Sequence, residues 1–382
     1  MRHIILIGSS LVLALGCASD PAAAPAPTPK PQLAPELGVG DKTAGSVTLT
    51  TIIGPEARLK RPADLDFNPR VSGELWVVNA TDNSMVIVHD ATSDGRTSER
   101  RNEPAMDHFM DRPTSIAFGA EPTTFGSIGT FGTCGESRNE HGSMEGNAND
   151  FMGPVLWTSD LAIFTKKDPI GLGSHIDMLH SSPLCMGITH EADNVYWVFG
   201  GQSGAIQRYD FAKDHGVGMD NHSDGSIRWY GAGQFKRVEG VPSHLAFRPQ
   251  DGMVYVADTG NGRIVKLDTK SGTRTKNAPK KEELVASDFM DGAAIEEVVS
   301  QSQGLVTRPS GLEIHGDYLY VSDNANGRIT AFDFKGEAVN WLDTGLPDGA
   351  LGGMVFGPDG KLYIVDMLGN QVLRIDPKPA AK

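Results

Sequence analysis

Five stretches of this chain can be laid one under another: "RPADLDFNPRVSGELWVVNATDNSMVIVHD" from Arg61, "SPLCMGITHEADNVYWVFGGQSGAIQRYD" from Ser182, "VPSHLAFRPQDGMVYVADTGNGRIVKLD" from Val241, "RPSGLEIHGDYLYVSDNANGRITAFD" from Arg308 and "LGGMVFGPDGKLYIVDMLGNQVLRID" from Leu351. Each opens on a small or proline-led stretch, then runs apolar strand, turn, second strand ending near Asp or Asn, Gly/Asn turn, and third strand ending in Asp. A sixth copy starts at "RPTSIAFG" from Arg112, is split by an insertion containing Cys134, and resumes at "GPVLWTSDLAIFTK" from Gly153. A repeat of this kind is one supersecondary unit that buries its apolar faces only by stacking on its neighbours. The repeat therefore constrains the fold more than any single motif does.

The last copy stops after three strands at Asp376, while "SVTLTTII", Ser46 to Ile53, is a β-branched strand standing alone before the first copy. A ring in which that strand completes the last blade leaves neither edge open. "SIRWYG" from Ser226 and "EAVNWLD" from Glu337 supply fourth strands at equivalent places. The expected fold is all-β, a six-bladed propeller over residues 46–377 with a short tail at 378–382. The stretch "VYVADTGNGRIVKLD" from Val254 resembles the repeat of NHL propellers almost residue for residue, and the resemblance extends over about Thr48 to Asp376. It implies an NHL-type six-bladed ring.

The first residues predict where such a ring works. Arg2 and His3 precede an apolar run, Ile4 to Gly16, that is too short to span a bilayer, so residues 1–16 read as a secretory signal peptide. "ALGC", ending at Cys17, resembles a bacterial lipobox, which implies lipidation of Cys17 and a lipoprotein anchored to a bacterial membrane, at the periplasm or cell surface; a plain cleaved signal is the alternative. Residues 17–45 are rich in Pro and Ala and read as an extended tether. A net charge of −14 argues against nucleic acid and against direct adsorption to anionic lipid, leaving the lipid anchor as the only membrane contact. With Cys17 lipidated, Cys134 and Cys185 remain in a compartment that permits disulfides. A Cys134–Cys185 bridge is expected, and a thiolate ligand at Cys185 is its competitor.

Copies two to four carry the insertions and most of the unusual side chains. The stretch "SHIDMLHSSPLCMGITHE" from Ser174 and the stretch "KDHGVGMDNHSDGS" from Lys213 contribute His175, His180, His190, His215 and His222, and His244 follows in the next copy. Loops from one region of a rigid ring can bring imidazoles together with Asp214, Asp220 and Asp224, a donor mixture that suits zinc or copper. The six histidines are therefore the candidate metal ligands. "DNHSDG", Asp220 to Gly225, resembles the opening of a calcium loop, but its third position is His222 and its twelfth is Gly231, so an EF-hand is excluded. Met178, Met186 and Met219 read as packing residues. Asp258, Asp323 and Asp366 sit where strands enter tight turns, and "GNGR" leads into a strand, so neither group marks a phosphate or catalytic site.

One enzyme of this architecture bears comparison. The peptidylglycine amidating lyase resembles a six-bladed NHL propeller with a zinc held by histidines at the starts of inner strands, in sequences like Pro-His-Ser-Leu-Ala. The matching stretch here is "VPSHLAF", with His244 one position later, and the equivalent places in other copies carry Asp64, Ser115, Gly311 and Gly353. A one-residue shift turns a strand side chain to the other face unless a bulge intervenes, and with these residues at the other entries three inward histidines are not reproduced by motif. Were it such an enzyme, a histidine or Asp224 would serve as base and Arg228 would steady negative charge. No HExxH motif or nucleophile elbow supports a hydrolase. Trp157, Trp197 and Trp229 read as packing with a pocket-lining alternative. The expected function is a membrane-anchored extracytoplasmic propeller that binds a small molecule, peptide or protein at a His-rich face, with zinc or copper as its metal. The alternative is a zinc- or copper-dependent enzyme of the lyase-like kind.

Overall fold

A computed structural model describes residues 33–119, 129–140, 147–166 and 171–379. Cys17 and the signal segment, residues 1–16, lie outside the described residues. Among the described residues the strands form six sheets, one per repeat copy and antiparallel within each four-stranded blade, arranged as a propeller. Blade 1 consists of Pro62–Phe67, Leu75–Asn79, Ser84–His89 and Thr97–Asn102, written from the channel outwards. Blade 2 has Pro113–Phe118, Thr130–Gly135, Val155–Thr158 and Asp177–Met178; blade 3 has Cys185–Ala192, Val195–Gly200, Ala205–Asp210 and Ser226–Tyr230. Blade 4 has Leu245–Arg248, Met253–Asp258, Arg263–Asp268 and Ile295–Val299; blade 5 has Pro309–His315, Tyr318–Asp323, Arg328–Phe332 and Ala338–Asp343.

Blade 6 supplies only Leu351–Phe356, Leu362–Asp366 and Gln371–Pro377, and its fourth strand is Val47–Ile53 from the far end of the chain. That strand runs antiparallel to the last one, from Val47 opposite Pro377 to Ile53 opposite Val372. The ring is thus closed as the unpaired "SVTLTTII" requires.

The second strands, such as Leu75–Asn79, Val195–Gly200 and Leu362–Asp366, are buried along their whole length. Both faces of a blade meet a neighbouring blade, which is why these strands read as continuous apolar runs and not as alternations. The largest aromatic core lies between blades 1 and 2, where Trp76 packs against Phe118 and Phe131 with Trp157 and Phe164 beside them. The corner aspartates serve the turns. Asp258 accepts from Lys236 N, Asn261 and Arg263; Asp323 accepts from Thr307 N, Arg308 N and Ala325 N; Asp366 accepts from Leu368 N, Gly369 N and Gln371.

Three details differ from the expected layout. Cys134 lies in the second strand of blade 2, where it pairs with Ser115, so "TFGTCG" is a strand of the repeat and not part of an insertion. Residues 33–45, expected to be tether, pack on the ring: Ala34 and Leu37 are fully buried, and Glu36 accepts from the Tyr320 hydroxyl at 2.6 Å. Two short apolar side chains suffice to seat a Pro/Ala segment when a groove exists to receive them. Finally, blade 4 carries a hairpin, Thr273–Asn277 and Ala286–Asp291, that leaves its own blade and adds to the outer edge of blade 3, pairing Ser226 with Ala286 and Trp229 with Phe289 in parallel. Among the described residues no helix is long and apolar enough to cross a membrane.

Candidate metal centre and channel

The insertions of blades 2 to 4 meet beside blade 3. The loop around the short strand Asp177–Met178 carries His175 and His180, the connection before Ser226–Tyr230 carries His215, Asp220 and His222, and the blade 4 hairpin brings Glu282. Backbone hydrogen bonds lock the first two together, from His215 N to Ile176 O at 2.8 Å and from Gly218 N to His175 O at 2.8 Å. The Cys134–Cys185 disulfide ties blade 2 to the start of blade 3 with Cα atoms 5.4 Å apart, so Cys185 is spent as a thiolate ligand. The helical turn Met106–Phe109 adds His108, whose Nδ1 lies 3.0 Å from Asn139 Oδ1.

His180, His222 and Glu282 bring donor atoms within 4.8 Å of one another. Glu282 Oε1 accepts from His180 N at 2.6 Å and pairs with His180 Nδ1, while His222 Nε2 lies 3.9 Å from the same oxygen and 3.6 Å from Asp220 Oδ1. His180 is stacked on Phe151 at 3.6 Å between centroids, and His175 on Phe109 at 3.8 Å, so both rings have fixed planes. The Nε2 atoms of His175, His180 and His222 and Glu282 Oε2 are buried without a hydrogen-bond partner. Buried polar atoms are ordinarily paired, so four orphans on adjoining loops make this cluster the candidate place for a bound group. His215 Nε2 stands apart, 3.4 Å from Asp224 Oδ2 and 3.8 Å from Asp177 Oδ2.

Burial pushes the His175 imidazole down to about 4 and also lowers His180 and His108, which keeps these rings neutral at pH 7. Asp220 and His222 form the charged edge: their approach to 3.6 Å lowers the carboxyl and raises the imidazole. Burial holds Asp177 up at about 9. Neutral imidazoles beside a carboxylate fit a borderline divalent ion such as zinc, which takes nitrogen and oxygen ligands in tetrahedral geometry.

His190 and His244 belong to a different place. Both line the central channel, in a cavity of about 260 Å³, together with Asp64, Asp66 and Glu313. His190 Nε2 is satisfied by Asp193 O at 2.8 Å, and burial lowers the ring. His244 is 5 % exposed and held down at about 4 by burial, with Nδ1 3.5 Å from Asp64 Oδ1. The two residues stand at equivalent positions of the repeat, and Gly353 at a third makes room for them: a Cβ there would strike the Asp64 carboxylate and come within 2.6 Å of His244 Cε1. The shifted register of "VPSHLAF" therefore still delivers His244 to the channel, because the inner strand proper begins only at Leu245. A wider cavity of about 540 Å³ lies at the strand-start end, lined by Arg61, Arg112, Glu136 and Glu239.

The six-histidine set is thus divided: His175, His180, His215 and His222 occur on the adjoining loops, and His190 and His244 in the channel. Glu282 and His108 carried no signal in the sequence, because each reaches the cluster from a segment with no motif of its own. Trp157 and Trp197 are fully buried, and Trp229 donates to Ser287 Oγ at 3.0 Å, as packing residues do. Arg228 is exposed on the third-blade edge strand. Met178 and Met186 are buried in the core, whereas Met219 is exposed.

No protein-family model matches the chain, and no curated protein sequence matches it. Among solved structures it is similar to an auxiliary nutrient binding protein from Bacteroides thetaiotaomicron, at TM-score 0.55 and 11 % identity over 87 % of this chain and 76 % of that one. A second auxiliary nutrient binding protein, from Bacteroides ovatus, aligns at TM-score 0.52 and 12 % identity over 84 % and 70 % of the two chains. At such identities the likeness concerns the fold. Function has to be argued from the sites.

Proposed function

We propose that the protein is an extracytoplasmic, lipid-anchored binding propeller that holds a small molecule in its central channel and a zinc-class ion in the loops beside blade 3. The observation that carries the metal reading is the convergence of His180, His222 and Glu282, with unpartnered Nε2 atoms on both rings. These three residues would hold the ion, Asp220 at their edge would balance its charge, and one tetrahedral position would remain for Asp220 or a water. The ion would supply a rigid junction between loops that come from three different blades. His180 and Glu282 are 2 % and 5 % exposed and do not line the channel cavity, which favours an ion that fastens loops over one that receives a substrate. The lyase-like enzyme reading is disfavoured because these ligands are buried and stand away from the channel cavity that would admit a substrate. An oxidising compartment is supported by the disulfide. The two Bacteroides propellers are named as nutrient-binding proteins, and we extend a ligand-holding role to this chain on account of its own channel.

Elemental analysis of the purified protein tests the metal reading. The expected result is about one equivalent of zinc or copper, absent from His180→Ala and His222→Ala and retained by His244→Ala. Metal-free protein that neither takes up zinc nor rises in melting temperature with it would overturn the assignment.

A further inference from the structure

The channel is lined by a donor-poor, acceptor-rich set of side chains. Asp64 and Asp66 project from the inner strand of blade 1 on the same face, Glu313 from that of blade 5, and His244 from the lead-in to blade 4. No lysine or arginine is among the residues that line this cavity. One oxygen of each aspartate is already used: Asp64 Oδ2 accepts from Ile116 N and Asp66 Oδ2 from Phe118 N, both at 2.9 Å, which caps the open edge of blade 2's inner strand. Asp64 Oδ1 faces His244 Nδ1 at 3.5 Å, and in the tautomer that carries its proton on Nδ1 the Nε2 atom is left as an acceptor. That Nε2 is buried and unpartnered.

The acceptors are also spread out. Two residues apart on a strand, Asp64 and Asp66 stand about 7 Å from one another along the chain direction. Among the described residues only His180, His222 and Glu282 gather metal-ligand atoms within 4.8 Å, so the channel carboxylates and His244 do not surround one ion. Between them the wall is aliphatic, with Leu65, Ile188, Leu312 and Met354 in the lining. Separated acceptors on an apolar wall match a ligand with N–H donors on an alkyl body, since an ammonium offers three donors and its chain covers apolar surface.

We infer that the channel binds an alkylammonium ligand, its ammonium held by Asp64 and His244 Nε2 and its chain, or a second ammonium, lying toward Asp66 and Glu313. This rests on the reading of the channel as the ligand site. Burial raises Asp64 and Glu313 well above ordinary carboxyls, and a positive ligand beside them would favour their ionised forms.

Titration calorimetry of the protein with putrescine and butylammonium, beside 1-butanol, butyrate and calcium chloride, provides the test. The expected result is saturable binding of the two amines, weakened at least tenfold in Asp64→Asn and in Glu313→Gln, with no binding of butanol or butyrate. Both substitutions keep side-chain size and hydrogen-bonding capacity, and unchanged circular dichroism would show that the variants are folded. Butyrate or butanol binding that is lost in Asp64→Asn would overturn the ammonium assignment and leave the channel as the ligand site. Calcium binding in place of the amines would replace it with a metal channel. Amine binding untouched by either substitution, or no binding of any probe, would overturn both the inference and the channel reading.

Discussion

Asp66 shows how a single side chain couples the channel to stability. Burial raises its carboxyl to about 7 from an ordinary 3.8, against the opposing hydrogen bonds of the Phe118 and Phe67 amides. A carboxyl that binds its proton more tightly in the folded state contributes stability that is complete below pH 4 and is lost as pH rises through about 7. Asp66→Asn removes this one titration. The difference in melting temperature between wild type and Asp66→Asn is therefore expected to move against the wild type from pH 4 to pH 7.5, and curves that run parallel would show that the environment does not hold the proton. At this scale the sequence was informative about residue type and poor about company. His180 and His222 stand out as histidines in polar loops, but Glu282 lies 102 residues from its hydrogen-bond partner His180, in a charged stretch, "KKEEL", like many solvated surfaces. His244 and Asp64 occupy equivalent repeat positions, a placement that can be read, yet their approach depends on Gly353 opposite them.

At the scale of elements, the insertion-bearing blades are fastened by covalent and pairing devices that the lean blades lack. The Cys134–Cys185 bridge closes a separation of 51 residues between the second strand of blade 2 and the inner strand of blade 3. Loop-closure entropy for that length is worth about 4 kcal/mol in the unfolded chain. Across a domain of this size that corresponds to roughly 5 °C in melting temperature. Cys134→Ala with Cys185→Ala is expected to lower the melting temperature by about that amount, and the fall should be matched by reducing the wild type. If the double variant melts with the wild type, the bridge carries no stability. The four-strand blades were legible because each copy repeats the same order of apolar run and turn. The blade 4 hairpin was not, since nothing local distinguishes a hairpin that stays on its blade from one that crosses to the next: "TRTKN" and "ASDFMD" are mostly polar and become strands through the exposed edge Ser226–Tyr230 that receives them.

For the whole molecule the decisive contact is the one between its two ends. Val47–Ile53 covers the outer edge of blade 6 and buries Val47, Ile52 and Ile53. Three aliphatic side chains are worth about 5–8 kcal/mol when fully buried, as an upper figure because an unfolded chain already hides part of that surface. Ordering the strand offsets some of this gain. Its removal has a second cost, however, because Leu373 and Ile375 lose their cover and Gln371–Pro377 becomes an open edge at a seam of the ring. Residues 33–45 reinforce the same seam through Ala34 and Leu37 on blades 5 and 6. The lone β-branched strand and the three-stranded last copy made this closure readable, whereas the seating of Ala34 and Leu37 was hidden by a Pro/Ala composition typical of linkers. Comparing residues 46–382 with residues 54–382 isolates the effect of the strand from that of residues 33–45. The shorter chain is expected to melt on the order of 10 °C lower and to associate with itself through the freed edge. Equal melting temperatures, with both chains monomeric by light scattering, would mean that packing between the inner strands alone holds the ring shut.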